Sequence, residues 1–383
     1  MTTPFYLTLK EIWRNRGRFL LFSLVIALIT LLVLFIAALA DGLGNGNREY
    51  IEKLNGELSV YKSNVDLSIG ASRLDRAQLR AIVRVPGVKD AGQASFSSVV
   101  LLQSEGKKFN VALIGVEPGK PGEPPVAFGR GLEARGNEAI VDRNVALRTG
   151  YQVGDQIRVK SIQGTEEEFY DLQIVGISDG RQYSLQPSVI VSYQTFDRVK
   201  PGTPVLNATD LVSNLIFVQL DEPSNWKAMA TVLANQVEGI QAVDRQTAYQ
   251  NTPGYSAQQS TLDTQRFFTL LIGVLVIGGF FQIQTLQKVP QIGMLKAIGA
   301  PNLLVAIAAR TQIVLVTILG VGIGALATIL LSLTFPATIP IVFSPMAIVI
   351  GVASLMLIGP IGGLVSVRYA LRVEPLTALG LAG

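Results

Sequence analysis

Two stretches of this sequence carry residue types that could do chemistry. Glu166-Glu167-Glu168 sets three carboxylates in a row, which could hold a cation, although such a run usually serves as a solvated loop. Gly115-Val116-Glu117-Pro118-Gly119-Lys120 has the Gly and Lys of a phosphate cradle, but its glycines are one residue too close and Pro121 follows. ATP hydrolysis, if used, must come from another chain. The sequence contains no His and no Cys. That removes Ser-His-Asp and Cys-His catalysis and nearly all zinc sites. No carboxylate pair is defensible as an acid and base, so an enzyme is the least favoured class. The informative residues are those that could bind or move a partner.

Those residues must be positioned by membrane helices. Hydrophobic residues make up 49% of the 383 positions and charged residues only 16%, well below the roughly 25% of soluble proteins. Four stretches approach the ~20 apolar residues that cross a bilayer: 19–40, 267–285, 313–333 and 347–367. The first is too long for a signal-peptide core, despite Ala38-Leu39-Ala40. Its flank 1–18, the joining segment 286–312 and the tail 368–383 hold nine Lys or Arg against two acidic residues. The short loop 334–346 carries no charge. By the positive-inside rule both termini are cytoplasmic and 41–266 lies outside. The basic excess is therefore a topology signal and not a nucleic-acid surface. Trp13 suits either an interfacial helix or a solvated flank.

The outer segment 41–266 reads as one large α+β domain, with a membrane-proximal part at about 41–128 and 204–266 and a β-rich middle at about 129–203. Ser72-Arg73-Leu74-Asp75 reads as a capping box opening a helix that ends at Pro86-Gly87. Strands are expected at 138–142, 156–162, 170–177, 188–191 and 215–220. Helices are expected at 143–149 and 224–237, the latter with Trp226, Met229, Ala230, Leu233 and Val237 on one face. The polar stretch 257–266 continues as helix into the second span. Gly320, Gly322 and Gly324 offer faces for close helix packing. Gly359-Pro360 and Gly362-Gly363 suit packing better than a hinge, and Arg310 suits snorkelling.

The segment after the second span holds the densest signal. Pro290 kinks or stops the outgoing helix. Ile292, Leu295 and Ile298 then form an apolar stripe on a two-turn helix, with Gly299 as its cap and Pro301 beyond. An apolar helix in water needs a partner. Gln291-Ile292-Gly293-Met294-Leu295-Lys296-Ala297-Ile298-Gly299-Ala300 resembles the "EIG-L-(K/R)-A-(I/L)-GA" motif of the FtsX/MacB-type permeases, the type VII ABC transporters. Arg372-Val373-Glu374-Pro375-Leu376 and Ala378-Leu379 resemble that family's tail, and Arg14-Asn15-Arg16 its start. Asn137–Asp142, Gly154-Asp155 and Tyr170–Ile177 resemble segments of its outer domain. Gln291 stands where the family has an acidic residue.

The resemblance implies a MacB-like outer domain of two subdomains on four transmembrane helices, in a bacterial inner membrane with the domain in the periplasm. It implies ATPase coupling through 291–300 and a tail contact through Arg372, Glu374, Pro375 and Leu376. No cofactor or metal is expected in this chain, since ATP and Mg²⁺ belong to the partner ATPase. A second permease copy is expected, identical in preference to a paralogue, with a periplasmic adaptor as a further partner. The layout is most similar to DevC-type exporters and next to LolC/LolE lipoprotein-release subunits. FtsX-like control of cell-wall hydrolases and a receptor lacking an ATPase stand as alternatives.

Overall fold

The computed structural model describes residues 13–14, 16–103, 107–200, 212–252, 254–334, 343 and 345–372. Glu374, Pro375 and Leu376 lie outside the described residues, as does most of the N-terminal flank. The chain divides into a helical unit, Met1–Gly42 with Ser260–Gly383, and a β-rich unit, Leu43–Gln259. In order, the elements begin with α1 (Arg16–Glu52), β1 (Leu58–Lys62), α2 (Arg76–Val83), β2 (Val88–Leu102) and β3 (Lys108–Val116). Next come β4 (Val126–Gly129), β5 (Glu138–Asp142), α3 (Arg143–Thr149), β6 (Gln156–Gln163), β7 (Glu166–Ser178), β8 (Ser188–Ser192) and α4 (Tyr193–Val199). They close with β9 (Leu215–Leu220), α5 (Trp226–Gln236), β10 (Ile240–Asp244), α6 (Arg245–Gln250), α7 (Tyr255–Gln287), α8 (Val289–Ala297), α9 (Asn302–Ser332) and α10 (Pro345–Arg372).

Two strand–helix–strand crossings build one layer of the β-rich unit. β1–α2–β2 and β9–α5–β10 give an antiparallel sheet in the order β10-β1-β9-β2, the split βαβ arrangement. The apolar faces of α2 and α5 close over it. Ile82, Met229, Leu233 and Val237 pack with Leu58, Val60, Ile216 and Val218. A helix so short needs this packing, because its own hydrogen bonds leave it marginal.

β2 is too long for that sheet alone. Residues 88–94 pair with β9, while 94–102 pair with β3 and 100–102 also with β6. From β3 the pairing runs through β8, β5, β7 and β6 back to β2, which closes a six-stranded barrel. Alternate residues fill its interior, among them Val99, Leu101, Val111, Leu113, Val141, Ile157, Leu172 and Val189, as expected of a barrel this small. The opposite faces of the same strands, with Ile114, Ile140 and Ile190, join Phe217 and Tyr61 of the sheet, Tyr50 and Ile51 of α1 and Leu54 just after it in a second core. The barrel thus draws on 88–116 as well as on 129–203.

Two features differ from expectation. The capping box is Asp75–Gln78: Asp75 accepts from the Gln78 amide at 2.7 Å, and Gln78 accepts from the Asp75 amide at 3.2 Å. Leu74 is held extended by Ser213, so the helix cannot begin earlier, and the buried Ser72 hydroxyl accepts from the Lys62 amide. The Glu166–Glu168 run is not a loop but the start of β7, opposite Ser161–Gln163, with Glu167 paired to Lys160 at 2.6 Å. α9 begins at Asn302, eleven residues before the apolar run 313–333, because nothing after Pro301 interrupts it.

In the helical unit, three helices among the described residues are long and apolar enough to cross a membrane: Phe19–Gly46 within α1, α7 and α9. The apolar run in α10, Ile348–Gly363, is shorter than these. Glycines set the packing. A Cβ at Gly320 would lie 2.9 Å from the Ser23 carbonyl oxygen, and one at Gly324 2.5 Å from that of Ala27. α9 therefore lies against the backbone of α1, as small residues allow in lipid. Gly278 of α7 meets Gly362 of α10, and Gly359 and Gly363 of α10 lie on Thr317 and Ile313 of α9. Gly322 faces open space.

Candidate coupling segment

α7 does not run straight into α8. Lys288 occupies the N-cap position between them, and Pro290 falls in the first turn of α8. There a proline costs little, because first-turn amides have no helical acceptor. Pro290 therefore starts a helix as much as it ends one. At the other end the Gly299 amide donates to the Lys296 carbonyl and the Ala300 amide to that of Leu295, both at 3.0 Å. With Gly299 at φ +96°, this is a Schellman motif, whose left-handed position favours glycine. Pro301 then caps α9.

α8 is braced to three other helices of the helical unit. The Lys288 ammonium donates to Gln312 Oε1 of α9 at 2.8 Å and lies 5.8 Å from the centre of the Phe19 ring of α1. The Lys296 ammonium donates to the Leu371 carbonyl at the end of α10, again at 2.8 Å. Gln312 is buried, and the Lys288 donor fixes which of its amide atoms is the oxygen.

The outward side of the segment is apolar. Met294, Leu295 and Ile298 are exposed, Ile298 at 81%, and Leu303 of α9 adds a fourth such residue. Ile292 is half-buried and Gly293 buried, while Gln291, Ala297 and Gly299 are exposed and Lys296 and Ala300 half-buried. The stripe read from the sequence is thus turned partly inward at Ile292, and Met294 joins it. Arg372 ends α10. In the sequence Lys288 stands only as one of the nine basic residues that set topology. A lone Lys at the end of an apolar helix was the signal available.

Comparison with known proteins bears on this arrangement. Residues 19–236 match the MacB-like periplasmic core domain, and 266–375 the FtsX-like permease C-terminal domain. A Staphylococcus haemolyticus protein named as a hemin transport system permease, HrtB, is 25% identical over 371 residues, covering 97% of this chain and 98% of its own. An ABC transporter permease of Mycobacterium bovis is 22% identical over 377 residues, covering 96% and 97%. The periplasmic region of MacB from Actinobacillus actinomycetemcomitans covers 52% of this chain and 94% of its own, at 13% identity and a TM-score of 0.36.

Proposed function

This chain belongs to the ABC transporter permeases that join a MacB-like periplasmic core domain to an FtsX-like C-terminal domain, and from that premise we propose that it is an ATP-driven lever moved through α8. A separate ATPase docks on Met294, Leu295, Ile298 and Leu303. ATP and Mg²⁺ stay in that partner. α10 serves as a fourth span, both termini are cytoplasmic, and the β-rich unit works in the periplasm on export or extrusion. Two copies of the chain act together.

One observation carries the reading. α8 presents an apolar surface while Lys288 and Lys296 tie it to α1, α9 and α10. A push on that surface is shared by the whole bundle and not absorbed by one loop. The exposed apolar side chains supply affinity of the helix-in-groove kind. Met adapts readily to a partner's surface.

The test is co-purification of the full chain with its ATPase from the native host. Leu295→Asp is expected to lose the ATPase while the chain still inserts and folds. A Leu295→Asp variant that keeps both its ATPase and its activity would sink the docking assignment. Hemin, named for the Staphylococcus relatives, is the first substrate to offer. Its stimulation of ATPase activity would assign the cargo.

A further inference from the structure

α1 is helical without interruption from Arg16 to Glu52, and its last two turns are gripped by the loop 179–187 between β7 and β8. The grip is on backbone. The Gly46 carbonyl accepts from the Leu185 amide at 3.0 Å, and the Tyr50 amide donates to the Gln182 carbonyl at 3.2 Å. Gly46 and Tyr50 are a helical i, i+4 pair, so the loop bonds both partners of one helical turn. A Cβ at Gly46 would come within 2.9 Å of Leu185 Cδ2, which is why the helix is bare there.

Arg181 is the hub of this grip. It is 2% exposed. Its guanidinium donates to the Lys53 carbonyl at 2.6 Å and to Asp179 at 2.9 Å. Its amide donates to Asp142, the cap of α3, at 3.0 Å, and its carbonyl accepts from Ser188 of β8 at 2.6 Å. The Lys53 ammonium returns to the Gly180 carbonyl at 3.0 Å. One residue therefore bonds the end of α1, the strand end of β5 and the start of β8. Ser184 and Leu185 sit at positive φ, 51° and 61°, a strain that persists only where the surroundings enforce it.

We propose that this clasp is the joint through which α1 moves the six-stranded barrel, with Arg181 as its positioning residue. The proposal rests on the ATP-driven reading above. α7 enters the same unit differently, through ring contact of Tyr255 with Tyr249 of α6, centroids 5.7 Å apart. That contact is between side-chain rings, whereas the clasp bonds the backbone of α1. The barrel therefore follows α1.

The chain has no Cys, so a spin-label pair at Thr165→Cys and Thr334→Cys reports on the full chain with its ATPase. ATP is expected to shift the distance distribution relative to ADP. Arg181→Ala is expected to lose that shift while ATP hydrolysis continues, and Lys53→Ala to shrink it. Trp226 fluorescence checks that each variant is folded. If Arg181→Ala unfolds, Lys53→Ala decides, since Lys53 is on the surface. A wild-type shift in the folded Arg181→Ala variant, or in Lys53→Ala where that one decides, overturns the clasp and leaves the lever standing. No shift in the wild type overturns the lever, and the clasp with it.

Discussion

Leu113 holds the β-rich unit together and Gly320 the helical unit, by opposite means. Leu113 lies in the barrel among Val111, Val189 and Ile157, fully removed from water. Its worth is the water it no longer touches. Gly320 contributes by having no side chain, so that α9 reaches the backbone of α1. In lipid the hydrophobic effect gives helices no reason to associate, and close backbone approach takes its place. The β-rich unit should therefore be sensitive to lost volume and the helical unit to added volume.

The largest expected effect tests the first half. Phe217 joins the sheet to the barrel wall and is 1% exposed. Phe217→Ala should destabilise the β-rich unit by about 3–5 kcal/mol. Urea titration of the full chain, followed by Trp226 fluorescence in a Trp13→Phe background, reads it. A loss under about 1 kcal/mol would mean the site collapses freely and the core is not close-packed. The second half is tested by a matched pair. Gly320→Leu adds atoms where a Cβ already lies 2.5 Å from that of Ile26, whereas Gly322→Leu points into open space. The first should cost about 1–3 kcal/mol or more in a detergent unfolding titration, and the second close to nothing. Equal effects would break the comparison.

The two units were also unequally legible. The barrel strands at 138–142, 156–163 and 188–192 are visible as alternating or β-branched runs between turn residues. β1 and β10 are not, since Leu58–Lys62 and Ile240–Asp244 become strands by pairing with each other across most of the domain. Barrel closure is equally invisible, because it rests on the pairing of 100–102 with 158–160. The apolar stripe and the Gly299 cap of α8 are local and readable. Its bracing through Lys288 and Lys296 is long-range, and no spacing announces it. The misplaced capping box has a similar origin: the pattern fits at Ser72 and again at Asp75, and the distant Ser213 decides between them.

A smaller effect concerns the carboxyls around the clasp. Burial pushes Asp142 up from the ordinary carboxylate range, against the pull of Asn144 and the Arg181 amide, with Arg148 facing it as well. Burial also raises Glu49, against Lys53, and Asp142 adds to the rise. Each group binds its proton more tightly folded than unfolded, so stability should increase as pH falls from neutral toward the usual carboxylate range. Asp142→Asn imitates the protonated acid and should flatten that slope. The comparison of wild type with variant cancels ion-paired carboxyls such as Glu138, which Arg130 holds low. An unchanged slope in the variant would remove Asp142 as the cause.

The smallest effect falls on one helix of the β-rich unit. Asp75→Ala leaves the Gln78 amide of α2 without its acceptor, while Ile82 and Leu74 keep their burial. The expected loss is about 1 kcal/mol, read in the same urea titration. Ser72→Ala, the alternative cap, bears on a different bond, since it strips the acceptor from the Lys62 amide on β1. A double variant separates the two. If both residues capped α2, the second substitution would cost little once the first was made. If Ser72 serves β1, the two losses should add to within a few tenths of a kcal/mol, as independent sites do. Additivity would place the start of α2 at Asp75 and count its cap as local chemistry, separate from the burial that holds the rest of the unit.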